Sequence, residues 1–259
     1  MQFLFPSDYF NVKKPDEGFI DQVSCFRSAG FQTSVISLEN LGTAASKVIP
    51  LPATDEPIVY RGWMLSAADY GTLVTTVERL GGSMLISQDQ YLSTHYLPNW
   101  YGSIEDLTPE TRFFSIEDDL EKELQSLGWD GFFIKDYVKS LKTSIGSRID
   151  NPAAIGSVIA EMEKFRGQIE GGICVRRIED FKIETEQRYF VLHGKAFAAD
   201  PDAKIPEIVQ ECVNRVSSPF FSVDAIERSD GVQRIVEIGD GQVSDLVGWT
   251  AERFVELWR

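Results

Sequence analysis

Histidine and cysteine are scarce in this chain: 259 residues hold two of the first and three of the second. His95 and His193 cannot make a three-histidine metal centre. His193 reads as a turn residue and His95, in YLSTHYLPNWYG, as a packing residue among aromatics. Cys25, Cys174 and Cys212 are too scattered for a disulfide framework or a zinc site, and read as buried thiols in a reducing compartment. No apolar run is long enough to span a bilayer, and the opening MQFLFPSDYF lacks the basic and apolar regions of a signal peptide. The expectation is a soluble, cytoplasmic protein. Basic residues are outnumbered 25 to 40, giving a net charge of −15, which disfavours a nucleic-acid or anionic-membrane partner. G-x-x-x-x-G-K-[ST], G-x-G-x-x-G after a strand, G-x-S-x-G and H-E-x-x-H are all missing. Chemistry in this chain must run on carboxylates, lysine and arginine.

What is present is ordinary for a globular protein: 43% apolar and 25% charged residues. The length suits one large domain or two joined ones. In the first third, short apolar strands at residues 2–5, 33–38, 57–60 and 84–86 alternate with helices at 16–29 and from Ser66 to about 80. Such alternation predicts a small parallel α/β layer whose ligand-facing rim carries Ser7, Asp8 and Arg61. From Gly131 the pattern changes. Strands are predicted at 131–140, 172–178, 188–192, 196–199, 220–227 and 232–238, and helices at 152–166 and 205–216. Hairpins with two interposed helices describe an α+β domain, with the boundary in the loop-and-helix region around 105–130.

Three segments could carry chemistry. In residues 222–241 the pair Asp230-Gly231 signals a two-residue hairpin turn, with φ > 0 at both positions. Facing residues then have numbers summing to 461, so Asp224 faces Glu237. Two facing carboxylates repel unless both are solvated or a divalent cation lies between them, and oxygen ligands at that spacing suit Mg²⁺. In residues 131–140, GFFIKDYVKS, one strand face carries Phe133, Lys135, Tyr137 and Lys139. Lysine on a central strand needs an anionic partner, whereas on an edge strand it snorkels. In residues 171–195 two arginines end a strand, and Glu186 and Arg188 share a face of the next. That pair reads equally as a structural ion pair. Arg61, in YRGW, could hold a substrate carboxylate bidentately or form an ordinary ion pair.

The order of these pieces resembles the ATP-grasp superfamily: basic strand, linker helix, strand ending in a hinge, Glu-x-Arg strand, Asp…Glu hairpin. The resemblance covers roughly residues 1–250. It implies a Rossmann-like pre-ATP-grasp α/β domain at 1–110, then an ATP-grasp nucleotide-binding and catalytic domain at 111–259 with antiparallel sheets clamping the nucleotide. It also implies ATP and Mg²⁺ as cofactors, and a carboxylate activated as an acyl phosphate for attack by an amine. By the same resemblance Lys135 contacts ATP phosphates, Lys139 is a second phosphate or substrate contact, and LKTSIGSR (141–148), with Gly146, covers the phosphates. Arg176, Arg177 and Ile178 form the adenine-reading hinge with Glu179 beside it, and Glu186 binds the ribose. Arg188 lies near the transferred phosphoryl group, and Asp224 and Glu237 bind magnesium. The family's usual third metal ligand, an Asn, falls on Gly239, with Asp240 as the substitute. The usual first lysine has Arg112 as its candidate. Phosphotransfer without amide formation and a non-catalytic acidic binding protein are the alternative readings.

Overall fold

The computed structural model describes residues 1–51, 55–138, 146–167 and 169–259. Its first elements are β1 (Gln2–Pro6), α1 (Ile20–Ser28), β2 (Gln32–Ile36), β3 (Val48–Ile49), β4 (Pro57–Tyr60), α2 (Ala67–Arg79) and β5 (Ser83–Met84). The middle of the chain forms α3 (Gln88–His95), α4 (Leu97–Tyr101), β6 (Thr111–Phe114), α5 (Leu120–Leu127), β7 (Phe132–Asp136), β8 (Arg148–Ile149) and α6 (Ile155–Arg166). The rest comprises β9 (Ile173–Arg177), β10 (Phe181–Leu192), β11 (Lys195–Phe197), α7 (Glu207–Arg215), β12 (Phe220–Arg228), β13 (Gln233–Asp240) and α8 (Ala251–Glu256).

Two compact units interleave along the chain: Met1–Thr94, Gln187–Val223 and Gly239–Arg259 make one, and His95–Glu186 with Asp224–Ile238 make the other. In the first unit a five-stranded sheet runs β3-β2-β1-β4-β5, parallel except for the edge strand β3. This is the α/β layer the alternation predicts. Its helices obey local rules: Ser66 caps α2 by accepting from the Asp69 amide (3.1 Å). The core is aromatic, with Phe3, Phe5, Phe26, Tyr60, Phe190, Phe220 and Phe254 buried together.

The second unit is built on the antiparallel sheet β6-β9-β7-β8. One face, with Phe132, Ile134, Ile173 and Val175, packs on Leu120 and Leu124 of α5 and Ile155, Val158 and Met162 of α6. The expected loop-and-helix stretch at 105–130 thus supplies a strand, β6, and a helix, α5, whose start is capped by Asp119. A third sheet, β11-β10-β12-β13, has three long strands that contribute residues to both units. Among the described residues no helix is long and apolar enough to cross a membrane.

Both hairpins form, with one correction. Leu192 pairs with Lys195 across His193 and Gly194, whose φ values are 49° and 77°, a two-residue turn. At Asp230-Gly231 the loop has three residues instead of two. The Gly231 amide donates to the Arg228 carbonyl (2.9 Å), the Arg228 amide to the Val232 carbonyl (2.8 Å), and only Gly231 has positive φ, at 87°. Asp230 stays at negative φ and accepts from the Val232 amide (3.2 Å). The far end of the same two strands is set by the Gly241 amide donating to the Phe220 carbonyl (3.3 Å). From Arg228 to Phe220 is eight steps, and from Val232 to Gly241 nine, so β13 carries one extra residue, a bulge. Ile235 and Ile238, three apart and both buried, bracket it.

Candidate active site

Cross-strand register builds the site face of the second unit. Opposite the packed face of the β6-β9-β7 sheet stand two rows: Thr111, Arg176 and Phe133, then Phe113, Cys174 and Lys135. β7 lies between β9 and β8, so Lys135 is on an interior strand and is only 5% exposed. The snorkelling arrangement is overturned. Its ammonium donates to Glu237 Oε1 at 3.4 Å, the anionic partner an interior lysine requires. Cys174, opposite Lys135, has its thiol pushed up to about 12 by burial, against the opposing fields of Lys135 and Arg176. It remains a protonated packing group.

Arg176 is 6% exposed. Its Nη1 donates to the Val236 carbonyl (2.6 Å) and its Nε to Thr111 Oγ1 (3.5 Å), while Nη2 is buried without a hydrogen-bond partner. Burial lowers its pKa, opposed first by the field of Glu237. Because β9 pairs on both sides, the backbone of Arg176 is committed to Thr111 and Phe133, and the Arg177 amide donates to the Glu110 carbonyl (2.8 Å). The expected hinge therefore begins inside the sheet. The Ile178 amide makes only a long 3.5 Å contact to the Gly131 carbonyl. Glu179 is held by Arg234 at 2.9 Å and Arg228 at 3.3 Å, a clamp that the spacing of these residues did not signal. Lys139 and residues 141–145 of the expected phosphate-covering loop lie outside the described residues; Gly146 has φ 70°.

In the first unit, Arg61 was expected at an open rim and is instead 2% exposed. Its Nε donates to Gln22 Oε1 (2.8 Å), its Nη1 to the Gln242 carbonyl (3.1 Å), and its guanidinium lies over the Phe254 ring (4.8 Å). Burial lowers its pKa to about 10. These contacts give it a structural role. Arg188 is half-buried, its Nη1 donating to the Asp245 carbonyl (2.9 Å), and the exposed Glu186 falls on the same face of β10. Asp240 is fully buried. Its Oδ1 accepts from the Gln242 amide (3.0 Å) and side chain (3.1 Å), and its Oδ2 has no partner. Among the described residues no three His, Cys, Asp or Glu side chains converge to hold a metal, and the expected trio of Asp224, Glu237 and Asp240 is no exception.

Residues 126–258 match a family model described as an ATP-grasp domain, family 3 of its clade. The chain belongs to this ATP-grasp family. A search of curated proteins found no match. Solved structures with the same fold include the D-cycloserine synthetase DcsG, with 13% identity, 100% of this chain and 98% of that chain covered, and a TM-score of 0.62. The D-alanine–D-alanine ligase from Coxiella burnetii has 11% identity, 94% and 87% coverage and a TM-score of 0.63. The macrocyclase MdnC, bound with precursor peptide MdnA, from Microcystis aeruginosa MRC has 11% identity, 99% and 98% coverage and a TM-score of 0.62.

Two departures of this ATP-grasp chain from the expected pattern now have physical reasons. A side chain at Gly239 would start 2.9 Å from Ser244 Oγ and 3.1 Å from Ser222 Oγ, which are hydrogen-bonded to each other at 2.7 Å. An asparagine there would have to displace this hydroxyl pair. Arg112 stands opposite Val175, on the packed face of the sheet, and is paired with Glu110. It is turned away from the face that carries Lys135.

Proposed function

We propose that this ATP-grasp chain is an ATP- and Mg²⁺-dependent ligase that joins a carboxylate to an amine. The observation that carries the reading is the contact between buried Lys135 and the partly exposed Glu237 at 3.4 Å, the two residues to which the family resemblance assigns phosphate and metal binding. Counted from the Phe220–Gly241 contact, Asp224 and Glu237 hold partner positions on β12 and β13, which supports pairing them as metal ligands. Two carboxylates suit Mg²⁺, which takes one or two protein carboxylates and completes its shell with water and phosphate oxygens. The donor set therefore fits the ion without Asp240. When bound, the ion supplies neutralisation of phosphate charge.

The reaction is phosphoryl transfer followed by acyl transfer. A substrate carboxylate oxygen takes the γ-phosphoryl group and ADP leaves. The amine then attacks the acyl carbon, phosphate departs, and the amine loses a proton, leaving an amide. Phosphoryl transfer asks for positioning and charge neutralisation more than covalent work. Lys135 would hold phosphate oxygens, Arg188 the transferring group and Glu186 the ribose. Backbone groups from Ile178 onward would read the adenine. Arg61, Arg177, Glu179 and Asp240 are given no ligand contact, because each is committed or turned elsewhere. Two of the similar structures name peptides or amino acids in their descriptions, so the substrate pool to screen is amino acids and peptides.

Incubation with Mg²⁺-ATP and such a pool should yield ADP, phosphate and an amide detectable by mass spectrometry. Lys135→Met and Glu237→Gln should each lower turnover on the order of 10²–10³, the scale of losing one preorganised charge-stabilising group. ADP without amide would make the protein a phosphotransferase. Neither product, with ATP still bound, would make it a binding protein.

A further inference from the structure

Arg176 holds a buried charge that its own fold does not satisfy. The guanidinium is 6% exposed, two of its nitrogens are engaged by neutral oxygens, and Nη2 has no partner. The strongest carboxylate fields on it come from Glu237, which Lys135 already contacts at 3.4 Å, and from Glu179, which Arg234 and Arg228 already hold.

Register decides where this charge points. Lys135 is opposite Cys174 and Arg176 is opposite Phe133, so the two cations are diagonal neighbours on one sheet face. Diagonal neighbours lie about 7–8 Å apart, a span that the oxygens of one phosphate chain can bridge between an ammonium and a guanidinium. A buried guanidinium with a free N–H edge is costly unless an anion completes it.

We propose that Arg176 Nη2 and Lys135 Nζ form a two-point oxyanion site, and that Arg176 binds a nucleotide phosphate through its side chain rather than adenine through its backbone. The phosphate class is named from the nucleotide reading above; the cationic site itself is argued from this sheet alone. Arg176 also fixes the bulged strand, because its Nη1 contact to the Val236 carbonyl sits one residue before Glu237. It is therefore a ligand-binding residue and a positioning residue for Glu237.

The test uses the full chain with inorganic tripolyphosphate, ATP and adenosine as separate probes in thermal-shift and calorimetric titrations. Wild-type protein should bind tripolyphosphate, and Arg176→Met should weaken both tripolyphosphate and ATP binding by 10- to 100-fold while changing adenosine binding less than 3-fold. Arg176→Lys, which keeps the charge, should retain ATP binding within about 5-fold. If Arg176→Met fails to fold, Arg176→Gln against Arg176→Lys gives the same contrast. A wild-type protein indifferent to tripolyphosphate, or one bound equally by the neutral variant, overturns the site. Tripolyphosphate binding without any ATP preference over it would leave the oxyanion site standing and remove the nucleotide reading instead.

Discussion

Asp240 shows how burial can make a single carboxyl a pH-dependent term in stability. Removal from water raises it from an ordinary 3.8 to about 7, with the Gln242 donors and Arg61 opposing the shift. A raised acid binds its proton more tightly when folded, so between about pH 4 and pH 7 the folded chain carries a proton that the unfolded chain has lost. Stability from this group is intact below pH 4, declines as pH rises through that window, and reaches a penalty of up to about 4 kcal/mol above it. Asp240→Asn mimics the protonated form. It should raise the melting temperature at pH 8 and leave it nearly unchanged at pH 4; an equal gain at both would contradict the assignment. At this scale the sequence was legible where the physics is local. A lysine among large apolar residues required an anion, and Glu237 is that anion. The clamp of Arg228 and Arg234 on Glu179 joins residues about 50 positions apart, and no spacing rule announces it. Arg61 misled because a strand end reads as an open rim, whereas Gln22, Gln242 and Phe254 close over it.

Turns and close approaches decide the elements. The sequence Asp230-Gly231 fits two loops: a two-residue turn with both residues at positive φ, and a three-residue loop in which only glycine needs it. The chain adopts the second and regains register through the bulge in β13, so the hairpin was legible and its length was not. β6 was missed for a simpler reason: four residues are too short for periodicity to declare. Gly171 and Gly172, opening β9, are a different case. The Tyr137 ring lies against both, a Cβ at Gly171 would fall 2.1 Å from that ring, and its φ is 82°. Gly171→Ala combines overpacking with left-handed strain and should cost about 3 kcal/mol. Urea unfolding checks this. A loss below about 1 kcal/mol would mean that the Tyr137 ring moves aside freely.

For the whole molecule, composition and absences pointed to chemistry on carboxylates, lysine and arginine, and the order of motifs led to the ATP-grasp family that residues 126–258 match. The interleaving of the two units was not legible, because β10, β12 and β13 read as ordinary strands and only their pairing shows that each contributes to both. A chain of net charge −15 places Lys135 and Arg176 on one sheet face, and the proposed site for a small anionic ligand rests on that placement. The most direct measurement is the melting temperature with ATP, with and without Mg²⁺, in wild type and in Glu237→Gln. At 100 times its dissociation constant a ligand adds about 2.7 kcal/mol, which at this size is a rise of roughly 5–10 °C. The account predicts that rise for wild type with Mg²⁺-ATP and the loss of its Mg²⁺-dependent part in Glu237→Gln. No shift in the wild-type protein with saturating ATP and Mg²⁺ would contradict it.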